Sequence, residues 1–366
     1  MKILEIIPQL GSGGAERFTV DLCNELVQIG HDVILLLYFP LNNPEYTFYL
    51  HELNPAVKVI SIDKKTGFDI SIYWKVLKII QRINPDIIHS HVRAIFYLPI
   101  AILKLHSKLK FFHTVHNDAA KEALGSKLDV WIRRFSFTKG YVKPITISPA
   151  SQKSFEEYYG ISAPMIYNGR NIPQKLRLSD VEDFFKDIRN TSDTKVIINI
   201  AHIDSVKRQN ILAQAVTALN KDGYDIKLIL LGRTVEREIL NKIIQLNNPN
   251  IYVLGAKTNP LEYLKLSDIF CLCSEYEGMP MTLIEALGVG TIPICTPVGG
   301  IVNVIKNNEN GFLCADLSKE ALIDTIKECL RKTPDEITKI KGEISKTYSV
   351  YTMTECAQKY LAIFSK

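Results

Sequence analysis

Two glutamates separated by seven residues give the strongest chemical signal in the chain. They lie in Ser274-Glu275-Tyr276-Glu277-Gly278-Met279-Pro280-Met281-Thr282-Leu283-Ile284-Glu285-Ala286-Leu287-Gly288, directly after an apolar run. Pro280 suits the first turn of a helix, which puts Glu277 in the loop before it and Glu285 about two turns in. A carboxylate accepts hydrogen bonds from two vicinal hydroxyls at once, as on a ribose or a hexose. The free amides at a helix start suit a diphosphate. One short segment thus has the groups to hold a sugar, a diphosphate and a ribose in a row. The same pattern also suits a plain surface helix with two solvated glutamates.

A second candidate lies near the N-terminus, where the first apolar run enters Gly11-Ser12-Gly13-Gly14-Ala15-Glu16 and a helix pattern starts at about Ala15. Glycines there let the backbone approach a ligand, and the helix start offers N–H groups to an anion. A dinucleotide fingerprint needs a third glycine where Glu16 stands, and the next strand closes with Leu37-Tyr38-Phe39-Pro40 and no acid for a ribose. Nicotinamide-cofactor binding is therefore set aside. A tight turn and a substrate loop both remain.

The elements that must carry these groups alternate along nearly the whole chain. Strands are expected at Lys2–Pro8, Asp32–Tyr38, Val57–Ile62, Asp86–His91, Lys110–His116 and Pro144–Ser148, with helices such as Glu16–Ile29 and Ser71–Ile83 between them. The strands are continuously apolar, the pattern of a parallel sheet covered on both faces. A charged stretch at 173–194 reads as a linker with one short helix. The alternation resumes with Lys195–His202, Asp225–Gly232, Ile251–Gly255, Asp268–Ser274 and Thr291–Thr296. Two doubly wound α/β units are expected, with ligands at the carboxyl ends of their strands and a cleft between them.

At 366 residues, two domains of ordinary size are the natural division. A hydrophobic content of 46% and a charged content of 23% exclude disorder and fibrous architectures. The net charge of +5 falls short of a nucleic-acid coat. Seven scattered cysteines point to reduced thiols and a cytosolic setting, and Cys271 and Cys273 share one strand face as small buried hydrophobes. No signal-peptide core follows Met1, and the longest uncharged stretch, 286–305, is broken by glycines and prolines, so no transmembrane helix is expected.

Glu277 to Glu285 with Gly278 and Pro280 between, and Gly290-x-x-Pro293 after, resembles the donor-site motif of family 4 (group 1) retaining glycosyltransferases. GGAER with the following LxxxGHDV, then PDIIHSH, HTVHN, ITISPASQ and IYNGRNIP, are similar to that family's pattern in the same order, so the resemblance covers almost the entire chain. It implies the GT-B fold, with an acceptor-side domain at 1–172, a nucleotide-sugar domain at 173–349 and a last helix at 350–366 crossing back. It also implies sugar transfer with retention, no metal and no cofactor, from a nucleotide-diphosphate sugar, UDP or GDP foremost. The chain has no D-x-D tripeptide. By the resemblance, Glu285 holds the donor ribose, Glu277 contacts the transferred sugar, Gly278, Met279 and Pro280 complete the donor segment, and Gly13 and Gly14 line the site from the other domain. Lys207 matches one of two cations that clamp the diphosphate, but His202 stands where arginine is expected, so Arg208 or Arg233 is a candidate helper. A neutral histidine offers one donor where arginine offers a charged fork. His116 occupies the place of a histidine that touches the donor sugar. His91 and Asn168 are weaker candidates, structural roles being open for both.

Between Lys104 and Lys143, nine basic residues (Lys104, Lys108, Lys110, Lys121, Lys127, Arg133, Arg134, Lys139, Lys143) stand against Asp118, Glu122 and Asp129, with Trp131, Phe135 and Phe137 interleaved. Such a region suits an anionic membrane surface or a lipid-linked diphosphate, and equally a solvated face over buried aromatics. The expected partners are a nucleotide-sugar donor and a glycan or polyprenyl-diphosphate-linked acceptor, without nucleic acid, at the cytosolic face of the plasma membrane. A nucleotide-sugar epimerase or phosphorylase on the same fold, and a sugar-nucleotide-binding protein without turnover, are the alternatives.

Overall fold

The computed structural model describes every residue except Leu124 and Gln174. The chain divides into two compact units, Met1–Gly169 with Thr352–Lys366, and Arg170–Tyr351.

In the first unit, six parallel strands run β1 (Lys2–Ile7), β2 (Asp32–Leu37), β3 (Lys58–Ser61), β4 (Ile87–His91), β5 (Lys110–Val115) and β6 (Lys143–Thr146), in the order β3-β2-β1-β4-β5-β6. The second repeats this doubly wound order with β7 (Lys195–Ile200), β8 (Ile226–Leu231), β9 (Ile251–Gly255), β10 (Ile269–Leu272), β11 (Ile292–Cys295) and β12 (Phe312–Leu313), arranged β12-β11-β10-β7-β8-β9. The continuous apolar runs become strands buried on both faces, as β1, β2, β8 and β10 show. β12 is the strand absent from the sequence reading. It has only two residues, too few to show a period.

The helices of the first unit are α1 (Gly14–Gln28), α2 (Ser71–Ile83), α3 (Pro99–Leu105), α4 (Lys127–Thr138) and α5 (Pro149–Tyr159). The second unit has α6 (Ser179–Ile188), α7 (Gln209–Lys221), α8 (Arg237–Ile244), α9 (Pro260–Leu266), α10 (Met281–Val289), α11 (Lys319–Leu330) and α12 (Pro334–Tyr348), and α13 (Met353–Phe364) returns to the first unit. Local chemistry sets their ends. α2 buries Ile72, Val76, Leu77 and Ile80 on one face and stops at Asn84, which is left-handed before Pro85. α5 opens with a Ser148/Ser151 capping box and Pro149, and closes on left-handed Gly160. The segment read as a linker carries α6, whose Val181, Phe185 and Ile188 are buried.

Candidate active site

In the second unit, β7 and β10 are neighbours, so the loops leaving their carboxyl ends meet. Those loops hold Lys207 and Glu277. Asn199 Nδ2 donates to the Cys271 carbonyl at 2.8 Å, and the Glu275 amide donates to the Val206 carbonyl at 2.8 Å. The Cys273 thiol reaches the Lys207 and Arg208 carbonyls at 3.3 Å each. Backbone and side chains therefore fix one loop against the other before any ligand is present.

Glu277 is buried in this frame. Its Oε1 accepts from Lys207 Nζ at 2.7 Å and from Ser274 Oγ at 2.6 Å. The turn around it requires glycine at position 299, which is left-handed with φ +52°; a Cβ there would lie 1.7 Å from the Glu277 carbonyl oxygen. The Gly300 amide then bonds the Gly278 carbonyl at 2.9 Å.

Glu285 sits on α10, whose Met281, Leu283, Ile284, Ala286 and Leu287 are all buried. A helix apolar all round belongs in a core, which corrects the picture of a surface helix with solvated glutamates. Two smaller corrections follow. Pro280 is the extended N-cap (φ −69°, ψ 121°), outside the first turn, and Glu285 is the fifth helical residue, so just over one turn in. Arg170 Nε donates to Glu285 Oε1 at 2.9 Å, and both side chains are buried. The chain around Arg170 is set by Tyr348, whose hydroxyl donates to the Arg170 carbonyl at 2.7 Å and accepts from the Ile172 amide at 3.1 Å. Gly288 makes room for this arrangement, since a Cβ there would come 2.3 Å from Ile172 Cγ1 and 2.9 Å from the Tyr348 ring.

The other basic candidates lie differently. Arg208 is left-handed at the start of α7 and gives Nη2 to the Leu317 carbonyl at 2.7 Å, while its Nη1 is buried with no hydrogen-bond partner among the described residues. Arg233 is exposed, and its carbonyl accepts from the Ile203 amide at 2.9 Å. His202 is half-buried, with its carbonyl held by Gln209 Nε2 at 2.7 Å.

The first unit holds Gly13, Gly14, His91, His116 and Asn168. Gly13 is the extended N-cap of α1 and Gly14 its first residue. Asn168 is buried just before the chain leaves this unit. His116 follows β5, half-buried, with its Nε2 2.9 Å from His91 Nδ1 and its ring edge-on to Phe18 at 5.4 Å. His91 Nε2 is in turn 2.8 Å from Glu5 Oε2, and His89 Nδ1 is 2.9 Å from the same oxygen. The His116 amide donates to Glu122 Oε1 at 2.6 Å. Arg133 binds Asp129 through Nε at 2.9 Å, Glu122 through Nη1 at 2.5 Å and the Val92 carbonyl through Nη2 at 2.7 Å. Arg133 is thus fully buried, which corrects its place among the surface cations; the other eight basic residues of that region are exposed.

Glu5, His89, Arg170 and Arg133 are the groups whose importance sequence reasoning missed. Glu5 was the legible one: a charge inside an otherwise apolar central strand demands a partner. Register supplies it, because Glu5 pairs across to His89 in β4.

Burial works against ionising Glu5, but His89 and His91 outweigh it and hold the carboxyl at about 2. Burial and the neighbouring His89 push His91 down to about 4, burial beside Arg133 holds His113 well below the ordinary range, and burial among the other imidazoles does the same for His116. Burial raises Glu122, with Arg133 opposing. A histidine kept neutral in the fold but protonated when unfolded costs stability as pH falls below about 6.5, at about 1.4 kcal/mol per pH unit for each group. Glu5 extends the loss from about 4.5 down towards 2, because its folded carboxyl titrates later than its unfolded one. The urea midpoint of the first unit is expected to drop steeply between pH 7 and pH 4. An acid-insensitive midpoint would contradict this account of the buried histidines.

Two doubly wound parallel-sheet units of the same strand order, one carrying a cation–glutamate pair at the mouth of a buried helix with a second glutamate on it, are the architecture of a GT-B protein. Residues 180–342 match the family "Glycosyl transferases group 1", and residues 12–172 match "Glycosyltransferase Family 4". N-acetyl-alpha-D-glucosaminyl L-malate synthase of Bacillus anthracis is 26% identical, over 96% of this chain and 93% of its own. A Campylobacter jejuni N-acetylgalactosaminyltransferase acting on a diphospho-undecaprenol-linked sugar is 24% identical, over 93% of each chain. The Anabaena protein Alr3699/HepE, solved with UDP, superposes with a TM-score of 0.79 over the whole of both chains at 18% identity. The chain belongs to the group 1, family 4 glycosyltransferases and has their GT-B fold.

Proposed function

We propose that the chain is a retaining hexosyltransferase that takes a sugar from UDP or GDP and places it on a glycan or polyprenyl-diphosphate-linked acceptor during cell-surface polysaccharide synthesis. The observation that carries this is the Lys207 ammonium, 2.7 Å from Glu277 at the entrance to α10, with Glu285 on the same helix. Relatives with lipid-linked acceptors and a structural neighbour holding UDP support the substrate classes.

In this reading Glu285 accepts the two ribose hydroxyls, and Lys207 with the α10 amides receives the charge that grows on the departing diphosphate. Lys207 fills this role without a metal or other cofactor, and Arg208, whose buried Nη1 has no hydrogen-bond partner among the described residues, is the candidate second cation. Glu277, held through Oε1 among the described residues, turns its other oxygen to a hydroxyl of the transferred sugar. His116 contacts that sugar, and Gly13, Gly14, Gly278, Met279 and Pro280 shape its surroundings. The acceptor hydroxyl attacks on the face the diphosphate leaves, its proton passing to the leaving phosphate. Seven buried free cysteines accord with a cytosolic setting.

Among the described residues no helix is long and apolar enough to cross a membrane. The lipid-linked acceptor is met instead through α4 and its neighbours. Trp131 (61% exposed) stacks on Phe135, Leu128 is 51% exposed on the same helix, and Lys121, Lys127, Arg134 and Lys139 are exposed in the same stretch of sequence. Lys104 lies over the exposed Trp74 ring at 5.3 Å. Flotation with phosphatidylglycerol vesicles is expected to carry the protein, and Trp131→Ala with Leu128→Ala to weaken binding at least tenfold, from about 2 kcal/mol of lost apolar burial. Equal binding to neutral vesicles would contradict a basic docking face.

The transfer reading itself is tested by incubating the protein with nucleotide sugars and a polyprenyl-diphosphate-linked acceptor. The expected product is one glycoside with the anomeric configuration of the donor, read from its proton coupling constant.

A further inference from the structure

The hydrogen bonds that end at Glu5 fix the position of every proton along them. A carboxylate has no proton to give, so the 2.8 Å contact between Glu5 Oε2 and His91 Nε2 is donated by the imidazole. A neutral imidazole has one N–H, and His91 spends it there, which makes its Nδ1 a lone pair. The 2.9 Å contact from that nitrogen to His116 Nε2 must then be donated by His116. His116 Nδ1 is left as a lone pair, and the ring makes no other hydrogen bond within the described residues. On the opposite branch, His89 donates from Nδ1 to Glu5 at 2.9 Å, accepts at Nε2 from Thr114 Oγ1 at 2.7 Å, and Thr114 accepts from the Tyr360 hydroxyl at 2.9 Å.

We propose that Glu5, acting through His91, locks His116 in the Nε2–H tautomer and so presents its Nδ1 as a hydrogen-bond acceptor for a hydroxyl of the bound sugar. Glu5 and His91 are positioning residues; the assignment of the hydroxyl rests on the reading of His116 given above. Burial at His91 keeps that ring neutral, as the assignment requires. The alternative use of this cluster is a cation site, since donor atoms of Glu5, His89 and His91 lie within 4.8 Å of one another. With both imidazole N–H groups given to Glu5, neither ring turns a lone pair to that point.

The test is a long-range proton–nitrogen correlation spectrum of the histidine rings at pH 7.5, on wild type and His91→Phe. The expected wild-type result is protonation at Nε2 for His91 and His116 and at Nδ1 for His89. In His91→Phe, His89 keeps its tautomer, which reports an intact Glu5 pocket, while His116 becomes a mixture of both. In the same variant kcat falls about tenfold, the worth of one hydrogen bond, with the donor KM within about twofold. His116 protonated at Nδ1 or at both nitrogens in wild type would overturn the proposal. So would an unchanged His116 tautomer in the variant, or one equivalent of zinc bound in the purified protein. The spectra need no substrate, so correct tautomers together with inactivity toward every donor would overturn the hydroxyl assignment and the sugar-transfer reading it rests on, and leave the tautomer lock standing.

Discussion

Glu285→Ala is expected to abolish the stabilisation that a nucleoside diphosphate gives the wild-type protein. Among the described residues the carboxylate is held by Arg170 through Oε1, which leaves it able to accept from two vicinal ribose hydroxyls. Charged hydrogen bonds are each worth about 1.5–3 kcal/mol, so losing two weakens binding by at least a hundredfold. At a hundred times its dissociation constant, a nucleotide stabilises the wild type by about 2.7 kcal/mol, a shift readily seen in thermal melting. The substitution also strands the buried Arg170 guanidinium, and breaking a buried ion pair from one side costs about 3–5 kcal/mol. Glu285→Gln separates the two effects. It keeps an acceptor for Arg170, so the fold recovers most of its melting temperature, while the nucleotide shift stays small. A full nucleotide shift in either variant would remove Glu285 from the ribose.

The second large effect is expected at Lys207, where Met retains the aliphatic stem and removes the charge. Removing one preorganised charge-stabilising group typically costs about a hundred- to a thousandfold in kcat, or about 2.7–4 kcal/mol. The loss should reach that range here because Lys207 is the cation paired with Glu277, while Arg170 is bonded to Glu285 and Arg208 gives Nη2 to the Leu317 carbonyl. Some stability is lost as well, since the buried Glu277 carboxylate keeps only the Ser274 hydroxyl, so kcat is compared at a temperature where the variant remains folded. A kcat within threefold of wild type in Lys207→Met would show that the diphosphate is stabilised elsewhere.

What could be read from the sequence and what could not divides along a physical line. Central strands such as β1, β2, β8 and β10 were legible because parallel strands buried on both faces are unbroken apolar runs. The half-buried edge strands β3 and β9 were legible because they too are short apolar runs, and the helices because their ends carry local signals such as Asn84-Pro85 and Ser148-Pro149. The Glu277–Glu285 segment was legible because its spacing lies within one loop and helix. The partners of those glutamates were not. Arg170 meets Glu285 across 115 positions, and Lys207 meets Glu277 across 70. Such pairs follow from which strands are neighbours, which no local pattern states. Arg133 was misread for a related reason. Its i,i+4 partner Asp129 lies on the same helix, but only the packed unit shows that both are buried with Glu122 and turned inward. Glu5 stands between these cases. Its placement was visible as an anomaly in KILEII, whereas its bonds to two histidines needed the register of β1 on β4.

The most direct test of the account is the fate of nucleotide sugars mixed with the purified protein and a polyprenyl-diphosphate-linked acceptor, with nucleoside diphosphate release and product anomeric configuration followed together. The account predicts release from one UDP- or GDP-sugar that depends on the acceptor, and a single product retaining the donor's configuration. An inverted product would contradict the front-face mechanism, and sugar chemistry without any acceptor would contradict transfer itself.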